Sequence, residues 1–488
     1  MPVSSLSSGS HLPISSYPLI SFLCVCLSAA SLQADDWPQF RGQNASGVST
    51  ETNPLPTEFS FEDKVVWSKK LGDGIAGPII VGDRCYTTAM SGDETFSVIA
   101  YDSATGEELW KKDFATGKLP RITPPNSHAS STPCADRERV YVHFSTLGLL
   151  ALDAADGKEL WRYKLPKPAY LMDWGAAMSP IVYRDTVFFC QDDDLAPTLF
   201  AINAATGELR WQVARAEMLA GYAVPVIVEA EGRADVVIAG SGKLKGYDIA
   251  TGREIWTCNT MPRTVMTSPV VRDGVIYISV QSYGDETRTL KFALLEWLDT
   301  NQNGELTSAE VPKEFLERFK GSDKDGDGVL REAELDTAFQ SPDNMVGGGT
   351  TIQAVRGGGT GDVTKTHVLW NVSNKSPSNL SSPVVVGDQL FVVKKGGISS
   401  CFDTAAGKTC WELKRIRSAG DFYASPIAGD GKIYVTGENG FITVLKAGPE
   451  LDILARNDMG DSIIATPAIA GGRIYVRTKN SLICVGDK

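Results

Sequence analysis

Eight times along this chain of 488 residues, a small residue or a valine followed by proline opens an apolar run. Six of the seven spacings between successive prolines lie between 41 and 55 residues, and one is 114. A repeat of this length built from short apolar strands is typical of β-propeller blades. The pattern predicts a ring of eight repeats with a foreign segment inserted in one of them. The dipeptides are Gly77-Pro78, Thr132-Pro133, Ser179-Pro180, Val224-Pro225, Ser268-Pro269, Ser382-Pro383, Ser425-Pro426 and Thr466-Pro467.

A second motif, Ala-x-Asp-x-x-Thr-Gly-x-x-x-Trp, runs in step with the first. The Asp and the Gly predict the turn of a hairpin, and the Trp offers a flat apolar face to the neighbouring blade. Two copies are degenerate: the stretch that ends at Trp370, and a copy with Ala455 in place of the Trp. The five clear copies span 100–110, 151–161, 201–211, 246–256 and 401–411.

The two ends of the chain predict how the ring closes. Trp67 lies in a Trp-ending strand, Val65 to Leu71, with no hairpin before it. The eighth repeat contains Arg473 to Arg477 and Leu482 to Val485, and then stops one strand short. We therefore expect the N-terminal strand to complete the last blade, which removes an exposed sheet edge.

These repeats resemble the tryptophan-docking repeat of the pyrroloquinoline quinone (PQQ) type β-propellers, and Asp36 to Gly42 is similar to the segment that leads into them. That family includes the quinoprotein alcohol dehydrogenases and the periplasmic propeller of outer-membrane protein assembly (BamB). The resemblance covers residues 36–488 apart from the insert. It implies an all-β, eight-bladed propeller that acts as an envelope binding scaffold. The alternative that it implies is a PQQ-dependent oxidoreductase with an active site in the funnel.

The first 34 residues carry no charged side chain and contain an apolar stretch, Leu19 to Ala30. This stretch is too short to span a membrane and predicts an export signal cleaved after Ala34. Cys24 and Cys26 leave open a lipoprotein interpretation. The sequence thus predicts an exported, periplasmic or envelope-associated protein. The expected segments are 1–34 signal peptide, 35–62 lead-in, 63–284 first propeller part, 285–345 insert and 346–488 second propeller part with ring closure.

Charge is concentrated in the insert. The formal net charge of the chain is −12, and residues 285–340 contain 14 acidic and 7 basic residues. This balance argues against nucleic-acid binding. With no membrane-spanning segment in the sequence either, another envelope protein is the expected partner.

Seven cysteines remain after the expected cleavage, and an odd number leaves at least one thiol free in an oxidising compartment. Cys401 and Cys410 flank one hairpin turn, so either a disulfide or two small buried thiols fits the pattern. No Cys-x-x-Cys pair occurs, which excludes a zinc ribbon or c-type haem attachment.

The insert contains two twelve-residue loops of EF-hand type. Each has short oxygen-bearing side chains at positions 1, 3 and 5, a Gly at position 6 and a Glu at position 12, the pattern that binds Ca²⁺ with six to eight oxygens. The insert is therefore expected to be a small α-helical, calcium-binding unit. The expected ligands are Asp299, Asn301, Asn303, the Glu305 carbonyl and Glu310, then Asp323, Asp325, Asp327, the Val329 carbonyl and Glu334.

The second loop has four acidic ligands against two in the first, so it should bind calcium more tightly, although Arg331 at position 9 should weaken its water-mediated contact. Only twelve residues separate the loops, which leaves room for one helix, Pro312 to Lys320. This spacing resembles the loop–helix duplications of secreted calcium modules such as dockerins. We expect calcium to stabilise the insert rather than to switch it.

The sequence gives no catalytic constellation. No two cysteines are adjacent, whereas a vicinal disulfide against the quinone is typical of the quinoprotein alcohol dehydrogenases. PQQ is therefore possible but not favoured as a cofactor. Several polar loop residues could point into the funnel, but hydrogen-bonded structural roles are the favoured interpretation. These residues are Asn126, Ser127, His128, Asp173, Trp174, Asp192, Asp193, Asp194 and Arg215.

Overall fold

The computed structural model describes residues 36–215, 221–260, 266–281, 290–339, 350–373, 380–416 and 420–487. The predicted signal peptide and the possible lipidation sites at Cys24 and Cys26 lie outside these residues. None of the helices that are described is long and apolar enough to cross a lipid bilayer.

Eight sheets form the predicted eight-bladed propeller: seven are four-stranded and antiparallel, and that of blade 4 gains a short fifth strand, Gly361–Asp362, which pairs parallel with Glu254–Asn259. Each inner strand follows one of the small-residue–proline pairs. Blades 1 to 4 comprise Ile79–Val81, Arg84–Met90, Thr95–Asp102 and Glu108–Ala115; Cys134–Ala135, Arg139–Phe144, Gly148–Asp153 and Glu159–Tyr163; Ile181–Tyr183, Thr186–Gln191, Thr198–Asn203 and Leu209–Ala214; and Val226–Ala230, Arg233–Gly240, Lys243–Asp248 and Glu254–Asn259. Blades 5 to 8 comprise Val270–Arg272, Val275–Gln281, Thr350–Arg356 and Val368–Ser373; Val384–Val386, Gln389–Lys394, Ile398–Asp403 and Thr409–Arg415; Ile427–Gly429, Lys432–Thr436, Phe441–Lys446 and Ile453–Asp458; and Ala468–Ala470, Arg473–Arg477, Ser481–Val485 and Val65–Lys70.

The ring closes as the two chain ends predict. Strand Val65–Lys70 pairs antiparallel with Ser481–Val485, with Trp67 opposite Cys484. A fully buried arginine, Arg477 of blade 8, also crosses this junction. It donates one hydrogen bond to the carbonyl of Ala76, just before blade 1, and another to the hydroxyl of Thr87, in the second strand of blade 1. Closure therefore combines a shared sheet with a buried polar contact, and it leaves no open edge between the first and last repeats.

The residues that precede the prolines form a ring of hydrogen bonds around the central channel. In six of the eight junctions the backbone N–H of this residue donates to the hydroxyl of its equivalent in the next blade, at 2.9–3.0 Å. Val224 and Gly77 carry no hydroxyl, so the ring is interrupted between blades 3 and 4 and between blades 8 and 1. The residues before the prolines thus make a repeated contact between neighbouring inner strands, and their small size suits it.

The predicted docking of each tryptophan on the next blade is confirmed in five blades. The indole Nε1 donates to a turn carbonyl of the following blade at 2.9–3.2 Å. The ring also covers the turn glycine, where an added Cβ would lie 2.5–2.7 Å from indole atoms. The glycines have φ values of 65–74°, so the turn conformation and the indole contact both require glycine. The pairs are Trp67 with Gly106, Trp110 with Gly157, Trp161 with Gly207, Trp211 with Gly252 and Trp370 with Gly407.

Trp256 of blade 4 departs from this pattern. Its ring lies over Gly246 of its own blade, and its Nε1 donates to Asp235 at 2.8 Å. In most other blades an aromatic residue of the second strand lies beside the tryptophan, whereas blade 4 has Val237 at that register position. The indole fills the volume that this valine and Gly246 leave, and it is 1% exposed.

We call the loops that run from each outer strand to the next small-residue–proline pair the proline-led loops. The lead-in segment closes the channel at the end opposite these loops. Trp37 exchanges backbone hydrogen bonds with Ile80 of blade 1, and the Asn44 side chain pairs with the backbone of Ile227 in blade 4. Val48 bridges to Ala428 of blade 7. Because this segment ties inner strands from opposite sides of the ring, it forms a floor beneath the channel.

The insert lies between the second and third strands of blade 5. Its helices are α1 (Leu290–Leu298), α2 (Leu316–Ser322) and α3 (Glu332–Thr337), with a 3₁₀ turn at Lys313–Phe315. A two-residue ladder joins the two loops, with Leu306 opposite Leu330 and Thr307 opposite Val329. The one inter-loop helix predicted for Pro312–Lys320 corresponds to the 3₁₀ turn followed by α2. Elsewhere the described helices are α4 (Thr364–His367) and the 3₁₀ turns Gln43–Ala45, Leu171–Asp173 and Lys395–Gly397.

Replacing Gly106 with alanine should weaken the junction between blades 8 and 1. We expect a loss of about 1–3 kcal/mol in the free energy of unfolding beyond the loss caused by Gly92→Ala, because overpacking costs about that much. Gly92 is the matched control, since its φ is 69° and an added Cβ would meet no atom within 4 Å. Urea unfolding of both variants measures the difference, and equal losses would contradict the docking contact.

Candidate functional site

The proline-led loops surround a central cavity of about 400 Å³. Its wall contains all eight residues of the interrupted hydroxyl ring, with the aromatic side chains of Trp174, Tyr222, Phe422 and Tyr423 around them. Phe40 of the lead-in segment also lines it, from the closed end of the channel. The cavity is therefore a mixed apolar and hydroxyl-rich pocket of the kind that binds ligands or partner side chains.

Two of the funnel candidates line this cavity, Asn126 and Trp174. The Asn126 side chain donates to the Trp174 carbonyl at 2.5 Å and accepts from the Ser127 N–H at 2.8 Å. Ser127 donates to Asp73 at 2.6 Å. His128 and Asp173 line a different cleft. Asn126 and Ser127 are therefore committed to hydrogen bonds that fix their loop.

The remaining funnel candidates are structural groups. Arg215 is fully buried, forms a two-bond ion pair with Asp192 at 2.8 and 2.9 Å, and donates to the Tyr247 hydroxyl of blade 4. Asp193 and Asp194 accept backbone N–H groups of the loop between blades 2 and 3. The favoured interpretation of these residues as hydrogen-bonded loop residues agrees with this geometry.

One ion pair in the cavity wall was not among the sequence candidates. Lys395 approaches Asp421 at 3.2 Å, and Oδ1 of Asp421 is buried with no hydrogen-bond partner in the part of the chain that the structure describes. Among the described lining residues Lys395 is the only cation. Sequence reasoning missed the pair because its members lie in different loops; the one available signal was that Asp421 precedes Ser425-Pro426.

The first EF-type loop gathers its predicted side chains through hydrogen bonds within the loop. Asp299 accepts from the Gly304 N–H at 2.8 Å, and Asn303 accepts from the Glu305 N–H at 2.9 Å. Glu310 reaches back across the loop and accepts from Asn301 at 3.0 Å. The position-12 carboxylate therefore lies next to the position-3 side chain.

The second loop brings three carboxylates together. Oxygen atoms of Asp323, Asp325 and Asp327 lie within 4.8 Å of one another, a grouping that a hard cation could bridge. Glu334 accepts from the Lys324 N–H at 2.6 Å. These residues fit a calcium ion by donor type and position, and loop two has the denser negative charge.

The side chain of Arg331, from position 9 of loop two, bridges the two loops. It donates to Asp327 and, at 3.2 Å, to Glu305 of loop one. Its hydrogen bond holds the pKa of Asp327 below the usual value. Arg331 thus bonds directly to one oxygen of a predicted calcium ligand, Asp327, and competes with the ion for it. The sequence led us to expect only a weaker water-mediated contact at position 9.

The insert packs onto the propeller face that bears the cavity. Ala169, Leu171 and Met172, from the loop between blades 2 and 3, join the apolar cluster of the insert that contains Leu294 and Phe315. Beside this contact lies a second cleft, of about 170 Å³, whose walls come from both the propeller and the insert. The insert therefore spans from blade 5 to the far side of blade 3.

The seven described cysteines are all thiols, and all but Cys410 are buried. Burial raises the pKa of Cys401, and the neighbouring Cys410 thiol raises it further. Of the two alternatives left open by the sequence, the structure contains two free thiols, with Cys401 buried and Cys410 half-buried.

His143, in the second cleft, should make stability depend on acid. Burial lowers its pKa from 6.5 to about 3, so the folded state holds it neutral. The contribution of neutral His143 to the free energy of unfolding is fully present above pH 6.5. It is lost as the pH falls toward 3, because in this range only the unfolded chain takes up a proton on this histidine. The wild type should lose about 2 kcal/mol of unfolding free energy through this histidine when the pH falls from 6.5 to 5, and His143→Gln should not show this loss. Unfolding curves at both pH values test this; equal pH slopes for wild type and variant would contradict it.

Comparisons with known proteins agree with this fold. The sequence profile described as outer membrane protein assembly factor BamB matches residues 60–191, 97–323 and 360–448. BamB of Yersinia pestis is 23% identical over 410 residues, which is 80% of this chain and 91% of that protein. The structure of BamB from Moraxella catarrhalis superposes with a TM-score of 0.53 and 16% identity, covering 87% of this chain and 97% of that one.

A quinoprotein relative matches less of its own length. Quinoprotein ethanol dehydrogenase of Pseudomonas aeruginosa is 29% identical over 240 residues, 43% of this chain, and the match spans only 37% of the dehydrogenase. The family profile, in contrast, covers more than half of this chain. The chain belongs to the family of PQQ-like β-propellers described as outer membrane protein assembly factor BamB.

Proposed function

We propose that this protein is an exported binding scaffold of the cell envelope, which holds another envelope protein on the propeller face that bears the central cavity. The observation that carries the proposal is the match along nearly the whole length of the BamB relatives. On that face the aromatic wall of the cavity and the ion pair of Lys395 with Asp421 offer apolar and polar contacts to a partner.

The described cavity lining supports a scaffold over a quinoprotein. PQQ carries three carboxylates, whereas the described lining offers one cation, Lys395, which is already paired with Asp421. The chain has no adjacent cysteines to stack on a quinone. The described lining residues therefore do not fit this cofactor.

Addition of PQQ to the purified protein should produce no binding at micromolar concentration and no alcohol- or aldehyde-dependent dye reduction. Absorbance titration and a dye-reduction assay measure the two quantities. Micromolar binding together with turnover would replace the scaffold proposal with the quinoprotein alternative.

A photo-crosslinking amino acid at Tyr423, in the cavity wall, should form a discrete adduct with one envelope protein in intact cells. The same substitution at Leu413, an exposed residue on the outer strand of blade 6, is the control and should form none. Adducts at Leu413 but not at Tyr423 would place the partner on another surface and contradict the proposed face.

We further propose that the insert binds calcium through its two loops, at about 10⁻⁴–10⁻³ M as in extracellular modules. The clustering of Asp323, Asp325 and Asp327 supports this, as does the reach of Glu310 and Glu334 across their loops. The role is structural: the ion would offset the mutual repulsion of the clustered carboxylates and stabilise the core beneath the loops.

Glu334→Gln should weaken calcium binding more than Asn301→Ala does. The glutamine amide at position 334 keeps one oxygen but removes a negative charge from the more acidic loop, whereas Asn301 is uncharged. The pair Glu310→Gln/Glu334→Gln should abolish the calcium heat of the full chain in titration calorimetry. Glu314→Gln/Glu317→Gln is the matched control: it removes the same charge from exposed positions of the insert and should leave the heat unchanged. Equal binding by both pairs would refute the site.

A further inference from the structure

A four-residue turn, Leu171–Trp174, connects the insert to the central cavity. Leu171 is 7% exposed and belongs to the apolar cluster of the insert, and Met172 packs against the same cluster. Asp173 lines the second cleft, and Trp174 lines the central cavity. Within four residues the chain therefore passes from the insert core to the cavity wall.

The backbone of this turn is strained. Met172 and Asp173 have φ values of 60° and 51°, the left-handed region that residues with a side chain rarely adopt. Such conformations persist only where the surroundings over-determine them. Here Thr123 supplies part of the constraint: its N–H donates to the Asp173 carbonyl and its hydroxyl to the Met172 carbonyl, both at 2.7 Å.

Blade 3 and the insert supply the rest of the constraint. The Leu171 N–H donates to Asp194 at 2.8 Å, and the Ala169 N–H donates to Asp193 at 3.0 Å. Arg318 of α2 faces these carboxylates; burial lowers its pKa, and the charges of Asp194 and Asp193 oppose that shift. Both apolar packing and charge thus join the turn to the insert.

The calcium loops rest on the same apolar cluster. Leu306 and Leu330, which pair in the ladder between the loops, are fully buried in it together with Leu171. Position 8 of each loop is therefore a core residue, next to the position-7 carbonyl expected to bind the ion. A change in the loops alters the packing on which the strained turn depends.

We propose that calcium, by stabilising the insert core, holds the Leu171–Trp174 turn in its left-handed conformation and thereby fixes the shape of the cavity wall at Trp174. This inference rests on the proposed calcium binding and names its consequence for the partner-binding face. Loss of the ion loosens the insert core, the turn leaves the left-handed conformation, and the bond from Asn126 to the Trp174 carbonyl is lost.

Hydrogen exchange of the full chain, with calcium and with a chelator, tests the coupling. Removal of calcium should speed exchange in residues 168–176 by at least about tenfold, since local opening sets the exchange rate. Residues 459–467, a loop on another side of the same cavity, are the internal control and should not change. The calcium-dependent fluorescence difference between wild type and Trp174→Phe should report the movement of Trp174 itself.

Two variants separate the coupling from calcium binding. Leu171→Ser should keep the calcium heat while exchange in 168–176 becomes fast with or without the ion. Ile464→Ser, at a half-buried cavity residue away from the insert, should preserve the calcium effect. Calcium heat with unchanged exchange in wild-type 168–176 would overturn the coupling alone. No calcium heat at millimolar concentration would overturn the calcium proposal together with it.

Discussion

The contact on which the whole molecule depends is that between one blade and the next. In most junctions an indole ring covers the turn glycine of the following blade, and its N–H bonds to a carbonyl there. Each blade buries its apolar faces mainly against its neighbours, so this repeated contact positions most of the cavity wall. Trp256 indicates that the requirement is a filled interface: its ring turns inward where Val237 and Gly246 leave space.

The cavity and the insert, on which the proposed functions rest, share one face of the propeller. The proline-led loops that line the cavity begin the inner strands, and the insert docks on one of these loops. The opposite end of the channel is covered by the lead-in segment, through contacts such as that of Trp37 with Ile80. A partner bound on the proposed face would therefore meet the cavity and the insert together, on the side where the wall includes Trp174.

The features that the sequence predicted are local or periodic. The eight blades, the closure through Trp67 and the order of oxygen-bearing side chains in the EF-type loops are each encoded in a short segment or in a repeat. The pairing of Lys395 with Asp421 and the docking of the insert on Leu171 depend instead on separate loops that only the closed ring brings together. The inward turn of Trp256 was also missed, because it follows from the size of a cross-strand neighbour.

The two interruptions of the hydroxyl ring divide the propeller into unequal parts. At each of them a buried arginine crosses the junction, Arg215 to Tyr247 between blades 3 and 4, and Arg477 to blade 1. The remaining junctions group blades 1 to 3 in one arc and blades 4 to 8 in another. The insert is rooted in the larger arc and docked on the smaller. If a partner bound to the insert pulled on it, both arcs would therefore carry the force, and blade 5 would not carry it alone.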